Sequence, residues 1–237
     1  MVEEFRFQQF SVRQSDDVMK VGTDALLLGG WASANQPRRI LDVGTGCGVI
    51  ALMLAQRYPE ASIVGVDLNP TAVRLARSNF AGSMWSDRME ANCLAVQQLA
   101  AGQTFGLIVS NPPYFSEGLR SPVQNRRVAR HDDLLTVAEL ATAAAQLLSP
   151  NGRFCLVAPP EYAEDFAETA LEQDLHAVQR CDVRPKPGAA PNRCLIAFEK
   201  TTQAQPTADS FCLELSRHNY SPEYARLLQP FLLRYAD

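Results

Sequence analysis

The sequence predicts an α/β fold built on a mostly parallel sheet, with helices on both faces and an antiparallel hairpin at one edge. Apolar runs of strand length alternate with longer runs whose apolar residues recur at helical spacing, which is typical of consecutive strand–helix–strand units. The last two strand-like runs have no helix between them, so we expect them to pair antiparallel.

The first half of this alternation begins with an apolar run at 39–43 that ends in a glycine-rich turn. A helix should follow and end before Pro59. The next helix should begin at Asn69–Pro70, a capping residue followed by proline at the first helical position. We therefore expect strands at 39–43, 62–66 and 105–110, and helices at 49–58 and from 70 to about 80.

The second half continues the alternation and ends in the two strands of the hairpin. Turn-forming residues at 149–152 should end one helix, and a loop rich in proline and glycine at 185–191 separates the two late strands. We expect helices at 137–148 and 161–173, and strands at 153–158, 175–183 and 193–199.

Further segments flank this core at both ends of the chain. Alternating apolar residues at 5–12 predict a hairpin, and 26–31 predicts an apolar helix that Thr23–Asp24 could cap. The polar stretch 201–210 is linker-like and leads to an aromatic-rich helix near 224–235. We expect a single domain over 1–237, with an N-terminal hairpin and helix (1–36), a catalytic core (37–200) and a C-terminal appendage (201–237).

The composition is that of a folded globular protein, with 46% hydrophobic and 20% charged residues among 237. No stretch approaches the roughly 20 apolar residues of a membrane span, and the acidic N-terminus is unlike a signal peptide. We therefore expect a cytoplasmic protein that makes no membrane contact. Lys and Arg number 22 against 26 Asp and Glu, a net charge of -4, so a polyanion would have to meet a local basic patch.

Six cysteines are present, but none forms a CxxC pair and none has a histidine at ligand spacing. We expect six reduced thiols, no disulfide bond and no metal site. The oligomeric state stays open, and a monomer is compatible with the sequence.

The glycine-rich turn, DVGTGCG at 42–48, has properties that suit a ligand. Glycines at 44, 46 and 48 would let backbone N–H groups and a helix N-terminus approach a bound molecule closely. The spacing of the dinucleotide-binding motif would require a small residue at the position of Val49. The turn therefore departs from that motif.

Two acids accompany the turn. Asp42 places a carboxylate beside it, which suits a positively charged cofactor better than a phosphate. Asp67, after the second strand, is placed to hold ribose hydroxyls. This arrangement resembles the class I S-adenosylmethionine-dependent methyltransferases. The resemblance implies a Rossmann-like fold with a seven-stranded sheet and S-adenosylmethionine as the cofactor, bound by Asp42, Gly44, Gly46, Gly48 and Asp67.

A second turn, Asn111-Pro112-Pro113-Tyr114, follows the strand at 105–110. The carboxyl ends of parallel strands meet at the ligand-binding edge of a sheet, so this turn should lie beside the glycine-rich turn. Its prolines stiffen the backbone around the Asn111 side chain and the Pro112 carbonyl. Two carbonyl acceptors suit the methylation of an amine conjugated to a π system, because they favour a localised lone pair and stabilise the developing positive charge.

The NPPY sequence resembles a hallmark of N6-adenine, N4-cytosine and glutamine-N5 methyltransferases. The resemblance implies catalytic roles for Asn111, Pro112 and Tyr114, and places Asn111 near the cofactor as well. Tyr114 and Phe115 would contact the substrate, because an aromatic face can stack on the planar group and align it for transfer.

The stretch from 5 to 32, FRFQQFSVRQSDDVMKVGTDALLLGGWA, narrows the choice of amine. It is similar to the start of bacterial methyltransferases that act on the adenine immediately 3′ of the anticodon in a valine tRNA, and the similarity covers nearly the whole chain. The resemblance implies that Lys20, Thr23 and Asp24 approach the cofactor. One departure is Ala95, at a position where many relatives carry an acid that contacts the cofactor adenine.

Two other acceptors remain open. A glutamine-N5 methyltransferase of peptide release factors would use the same turn, but this chain lacks the helical N-terminal domain of those sequences. An rRNA N-methyltransferase is the other alternative. A non-enzymatic binding module is a third alternative, but it would not need both the glycine-rich turn and the NPPY turn.

Basic residues cluster beside the NPPY turn, as contact with RNA phosphates requires. Between 118 and 131 the chain has four arginines and no acid, and we expect Arg126, Arg127 and Arg130 to bind the substrate RNA. The late hairpin from Arg180 to Arg193 carries four cations against one acid and should contact the body of a tRNA.

Overall fold

A sheet of eight strands forms the centre of the computed structural model, which describes residues 3–99, 102–113, 135–201 and 206–235. Its strands are β3 (Arg39–Val43), β4 (Ser62–Asp67), β5 (Met89–Cys93), β6 (Phe105–Ser110), β7 (Leu148–Ala158), β8 (His176–Arg184), β9 (Arg193–Glu199) and β10 (Thr207–Cys212). The spatial order is β10-β8-β9-β7-β6-β3-β4-β5. β9 runs antiparallel to both neighbours, and all other pairs are parallel.

The described part of the chain also contains six α-helices and two small hairpins. The helices are α1 (Thr23–Trp31), α2 (Val49–Arg57), α3 (Pro70–Ala81), α4 (Val137–Leu147), α5 (Pro160–Leu171) and α6 (Pro222–Leu228). The hairpins are β1 (Glu3–Arg6) with β2 (Ser11–Gln14), and β11 (Glu214–Ser216) with β12 (Asn219–Tyr220). The N-terminal hairpin is confirmed.

Helices cover both faces of the sheet, as predicted. Successive residues of a strand point to opposite faces, so Leu107 and Val109 of β6 pack with α1, α2 and α3, whereas Ile108 packs with α4 and α5. Burial on both faces explains why β3 and β6 read as continuous apolar runs. The predicted cap of α3 is also confirmed, because the Asn69 side chain accepts a bond from the Thr71 N–H at 2.9 Å.

The edge of the sheet differs from the prediction of seven strands. β8 and β9 form the expected antiparallel hairpin, but β10 pairs parallel with β8 and becomes the eighth, outermost strand. The first four residues of β10 lie in the stretch 201–210 predicted as a linker. These four residues are exposed and carry no apolar pattern, whereas Phe211 is half-buried and packs against the core.

Three local predictions are also corrected. Thr23 and Asp24 do not cap α1, because they are its first two helical residues and Gly22 occupies the cap position without a side-chain bond. The turn expected at 149–152 lies inside β7, where the pairing with β6 is irregular. The expected helix over 224–235 is interrupted after Leu228, and Pro230, which lacks an N–H, stands in the break before a short 3-10 turn at Leu233–Tyr235.

The two ends of the chain contact each other. The backbone N–H of Gln8 donates to the Phe231 carbonyl at 2.8 Å, and its side chain donates to the carbonyls of Gln229 and Leu232. Within the described ranges, none of the helices combines the length and the apolar character that a bilayer crossing requires.

Candidate active site

Three neighbouring strands end at the same edge of the sheet. Val43 of β3 lies opposite Val66 of β4 on one side and Ser110 of β6 on the other. The glycine loop (residues 44–48) follows β3, Asp67 is the last residue of β4, and Asn111 follows β6, so the fold brings them together as the sequence predicts. The Ser110 hydroxyl, which is buried, donates to the Val43 carbonyl at 3.0 Å and joins two of the strands where the loops begin.

The glycine loop uses backbone conformations that favour glycine. Gly44, Gly46 and Gly48 have φ angles of 74°, 56° and 84°. A Cβ on Gly44 would meet nothing within 4 Å, and one on Gly46 would meet only a carbonyl oxygen at 4.0 Å. A Cβ on Gly48 would lie 2.5 Å from Cε1 of Phe80. The first two glycines therefore border open space, whereas the third permits close packing of the loop on α3.

Asp42 is completely buried beneath this loop. Oδ2 accepts a bond from the Thr45 hydroxyl at 2.7 Å, whereas Oδ1 has no hydrogen-bond partner in the described part of the chain. Burial raises the pKa of Asp42 to about 7, and the nearby charge of Asp67 adds to the increase, while Thr45 and the Ala51 backbone oppose it. A buried carboxylate with one oxygen unpartnered among the described residues favours a positive charge nearby.

The backbone holds Asp67 in place. The N–H of Gly46 donates to Oδ2 at 2.9 Å, and the N–H of Asn69 donates to Oδ1 at 2.8 Å. A carboxylate oxygen can accept a second bond, so both oxygens retain capacity for ligand hydroxyls. Cys93 lies opposite Asp67 on β5, and Leu68 is 50% exposed. These neighbours would line one side of a ligand that Asp67 holds.

The turn after β6 is described as far as Pro113. Asn111 is half-buried and Pro112 is buried. Tyr114 and Phe115 lie outside the described residues, as do Arg126, Arg127 and Arg130. The contacts expected of these five residues therefore remain predictions from the sequence.

The N-terminal residues expected near the cofactor make other contacts. Lys20 is exposed, and its Nζ lies 2.9 Å from Glu3 and 3.1 Å from Asp16, which raises the pKa of Lys20. Thr23 is exposed at the start of α1. Asp24 accepts a bond from Nε of Arg193, on β9, at 2.8 Å.

Sequence reasoning missed two buried polar residues, Asn79 beside the glycine loop and Gln14 at the end of β2. Asn79 on α3 accepts a bond from the Arg13 N–H, and donates to the carbonyls of Arg13 and Cys47. Gln14 accepts a bond from the Val21 N–H at 2.7 Å. Asn79 is a poor helix former in the interior of a helix, and that local mismatch is the signal that could have identified it.

The late hairpin is less basic than its sequence suggests. Arg180 lies 2.9 Å from Asp182 and 3.5 Å from Glu164, so its charge is largely matched. Arg184 donates to the Ser210 hydroxyl at 3.2 Å, and Lys186 is exposed. β8 runs parallel to β7, so Arg184 and Lys186 lie at the same edge as Asn111.

The cysteines are all free thiols, as predicted. Burial raises the pKa of Cys47 to about 11 and that of Cys155 to about 12, which keeps both neutral and unreactive. Within the described residues there is no group of three or more His, Cys, Asp or Glu side chains that could hold a metal ion.

A Rossmann-like sheet with a glycine loop after one strand, an acid after the next and an Asn-Pro-Pro turn at the same edge defines a class I methyltransferase. Residues 9–184 match the family model described as the methyltransferase small domain. The chain is similar in structure to a protein of Agrobacterium tumefaciens described as a predicted O-methyltransferase, with a TM-score of 0.67, 21% identity and coverage of 86% of this chain and 95% of that one. A methyltransferase from Pyrococcus furiosus gives a TM-score of 0.55 at 16% identity, covering 81% and 89% of the two chains. These two likenesses concern the fold alone.

Comparison of sequences identifies nearer relatives. The tRNA1(Val) (adenine(37)-N6)-methyltransferase of Phocaeicola vulgatus is 43% identical over 229 residues, which cover 97% of both chains. The protein of the same name from Trichodesmium erythraeum is 37% identical and covers 98% of both chains. The chain is a methyltransferase that belongs to the methyltransferase small domain family and, within it, to the family of these relatives.

Proposed function

We propose that this methyltransferase transfers the methyl group of S-adenosylmethionine to the exocyclic N6 of an adenine in the anticodon loop of a valine tRNA. The observation that carries the proposal is the register of β3 and β6, which sets Asn111 and its two prolines beside the glycine loop. The names of relatives that align over almost the whole chain support the choice of adenine, tRNA and valine isoacceptor.

The residues at the edge of the sheet fit this cofactor. Gly44 and Gly46 leave space where a side chain would stand, and the buried Oδ1 of Asp42 has no hydrogen-bond partner in the described ranges. Asp67 would hold the ribose hydroxyls, because two backbone N–H groups already orient its carboxylate. Asp42 would complement the positive charge of the cofactor. When bound, S-adenosylmethionine supplies a methyl group on a positively charged sulfur.

Asn111 and Pro112 act on the amine that accepts the methyl group. The N6 lone pair of adenine is delocalised into the ring, so the free amine is a weak nucleophile. The Asn111 side-chain oxygen and the Pro112 carbonyl would accept hydrogen bonds from the two N–H groups of this amine. These bonds favour a lone pair localised on the nitrogen. The same two oxygens stabilise the positive charge that develops on nitrogen, so no strong base is needed before attack.

Residues beyond the described turn would hold the RNA. Tyr114 and Phe115 would stack on the target base, because a loop base can be turned out without breaking a pair. Arg126, Arg127 and Arg130 would contact the flanking phosphates. Of the late hairpin, Arg184 and Lys186 are the cations we propose for the tRNA body, because Arg180 is already paired with acids. We place the enzyme in the cytoplasm, where it would meet tRNA.

The N-terminal segment would complete the cofactor site through Lys20, Thr23 and Asp24. Lys20 would first have to leave Glu3 and Asp16, and ion pairs this exposed are weak and easily exchanged. Recognition of the cofactor adenine would fall to backbone groups around Ala95. Its own N–H donates to Oε1 of Gln98 at 2.9 Å, so that N–H is already used.

A methyl-transfer assay tests the proposed acceptor. The purified chain would be incubated with methyl-labelled S-adenosylmethionine and either total tRNA or a peptide release factor, with the Asn111→Ala variant as the control for background transfer. N6-methyladenosine in the digested tRNA supports the proposal. Label found only in the release factor would favour the glutamine-N5 alternative, and any other methylated nucleoside would refute the acceptor.

A further inference from the structure

One ion pair joins the start of α1 to the start of β9. Nε of Arg193 donates to Oδ1 of Asp24 at 2.8 Å, and Nη1 of Arg193 donates to the Asn192 carbonyl at 2.6 Å. The two side chains are 29% and 20% exposed, so the pair is largely withdrawn from water. The Asn192 bond restrains the guanidinium, and the guanidinium in turn restrains the carboxylate.

This pair lies at the edge of the sheet that carries the active site. Cys194 of β9 pairs with Ala158 at the carboxyl end of β7, and Leu156 of β7 pairs with Ser110. Arg193 is therefore two strands away from Asn111, a lateral distance of about 10 Å at the usual strand spacing. Asp24, which bonds to Arg193, therefore lies at the same edge of the sheet as the glycine loop and Asn111.

We propose that Arg193 is a positioning residue, which holds the Asp24 carboxylate in the orientation that binds the cofactor. This inference rests on the proposed function, in which Asp24 contacts the cofactor. Gly22, at the cap position of α1, makes no side-chain bond to the start of the helix. A guanidinium fixes the plane of a carboxylate as well as its charge, and so can hold Asp24 in one rotamer.

The charge of Arg193 and its hold on Asp24 predict opposite changes in cofactor affinity when Arg193 is replaced. Deleting a cation beside a positively charged cofactor would strengthen binding if only the charge mattered. Releasing Asp24 from its fixed orientation would weaken binding. The direction of the change in affinity therefore distinguishes the two roles. S-adenosylhomocysteine, the product without a charge on sulfur, gives a second comparison. A charge effect would act mainly on S-adenosylmethionine, whereas a lost orientation of Asp24 should weaken the binding of both ligands alike.

Calorimetry on the full-length chain tests the proposal. For Arg193→Ala we expect roughly tenfold weaker binding of both S-adenosylmethionine and S-adenosylhomocysteine, since a charge-assisted bond is lost. Arg193→Lys keeps the charge but loses the planar guanidinium, so it should restore only part of the affinity. Unchanged or tighter binding by Arg193→Ala would overturn the proposal.

A matched control pair joins β7 to the other end of β9. Arg153 pairs with Glu199 at the other end of β9, with an Nη2–Oε1 distance of 2.6 Å and exposures of 26% and 27%. Arg153→Ala should lower the thermal stability to a similar degree and leave cofactor affinity within about twofold of the parent. Equal losses of affinity in both variants would mean that Arg193 is merely structural.

A double-mutant cycle identifies the path of the effect. If Arg193 acts through Asp24, the Arg193→Ala change should cause no further loss of affinity in an Asp24→Ala background. An undiminished loss there would show that Arg193 acts on the cofactor without Asp24. These titrations measure cofactor binding without RNA. A result that contradicts the role of Arg193 would therefore not affect the proposed methyl acceptor. A wrong acceptor would appear instead in the nucleoside assay.

Discussion

Asn79 donates a hydrogen bond from Nδ2 to the carbonyl oxygen of Cys47, 2.8 Å away. The same side chain makes two bonds to the backbone of Arg13 on β2. Asn79 is buried, and it thereby connects the N-terminal hairpin, α3 and the glycine loop in one hydrogen-bonded unit. The shape of the glycine loop therefore depends on a residue outside the loop.

Replacing Asn79 with alanine should therefore weaken cofactor binding as well as stability. The change leaves three backbone groups without their partner and should lower the free energy of unfolding by about 1–3 kcal/mol. Calorimetry should show severalfold weaker binding of S-adenosylmethionine. Gln8→Ala is the control, because Gln8 ties the same hairpin to Gln229 and Leu232, away from the loop. Similar cofactor affinities in both variants would contradict the role of Asn79.

Gly44 and Gly48 should respond differently to alanine. Both have positive φ angles, so each substitution brings backbone strain of about 1–2 kcal/mol. At Gly48 the new Cβ also meets Phe80 at 2.5 Å, and the melting temperature should fall further. At Gly44 the new Cβ enters open space, so the main loss should be cofactor affinity. Thermal unfolding with and without cofactor would measure both effects, and a reversed ranking would refute the assignment of the open space.

Asp42 should make both stability and cofactor binding depend on pH. Burial raises the pKa of this carboxyl from 3.8 to about 7, so the folded state holds a proton that the unfolded state has released. The contribution of Asp42 to stability is therefore largest at low pH and falls as the pH rises from about 4 to 7. A cationic cofactor favours the ionised form, so binding near pH 7 should release a proton.

Calorimetry in buffers of different ionisation enthalpy would count that proton. Asp42→Asn should abolish the release, because the amide does not titrate in this range. S-adenosylhomocysteine, without the charged sulfur, should release less. The same proton count in the parent and in Asp42→Asn would show that another group is responsible.

Asn111→Ala should stop turnover without preventing cofactor binding. In the proposed mechanism the Asn111 oxygen acts on a nitrogen whose charge changes only in the transition state, so kcat should fall by about 10²–10³. Single-turnover assays at saturating tRNA would measure the loss, with calorimetry for the cofactor affinity. A variant that methylates tRNA at the parental rate would rule out the amine-holding mechanism.

Reversing Arg126 and Arg127 to glutamate should weaken tRNA binding specifically. Each lost phosphate contact should reduce the slope of log affinity against log salt by about 0.7–0.9, and KM for tRNA should rise while cofactor affinity stays unchanged. Arg38→Glu is the control charge reversal, because Arg38 precedes β3 at the opposite edge of the sheet. An unchanged salt slope in the double variant would exclude these arginines as phosphate contacts.

The sequence by itself determined the alternation of strands and helices, the glycine loop and the Asn-Pro-Pro turn. These features are local, because a buried parallel strand needs an apolar run and a tight turn needs glycine or proline at particular positions. The family could be inferred from the same motifs, and the comparisons confirm it.

Only the tertiary structure decided the position of β10 and the partners of Asn79 and Asp24. The first four residues of β10 are exposed and are held at the edge by backbone pairing with β8, and such pairing leaves no pattern in side chains. Asp24 and Arg193 are 169 residues apart, and Asn79 and Arg13 are 66 apart. Such pairs arise when the whole sheet is assembled, because the chain's local preferences carry no information about which distant polar groups will be buried together.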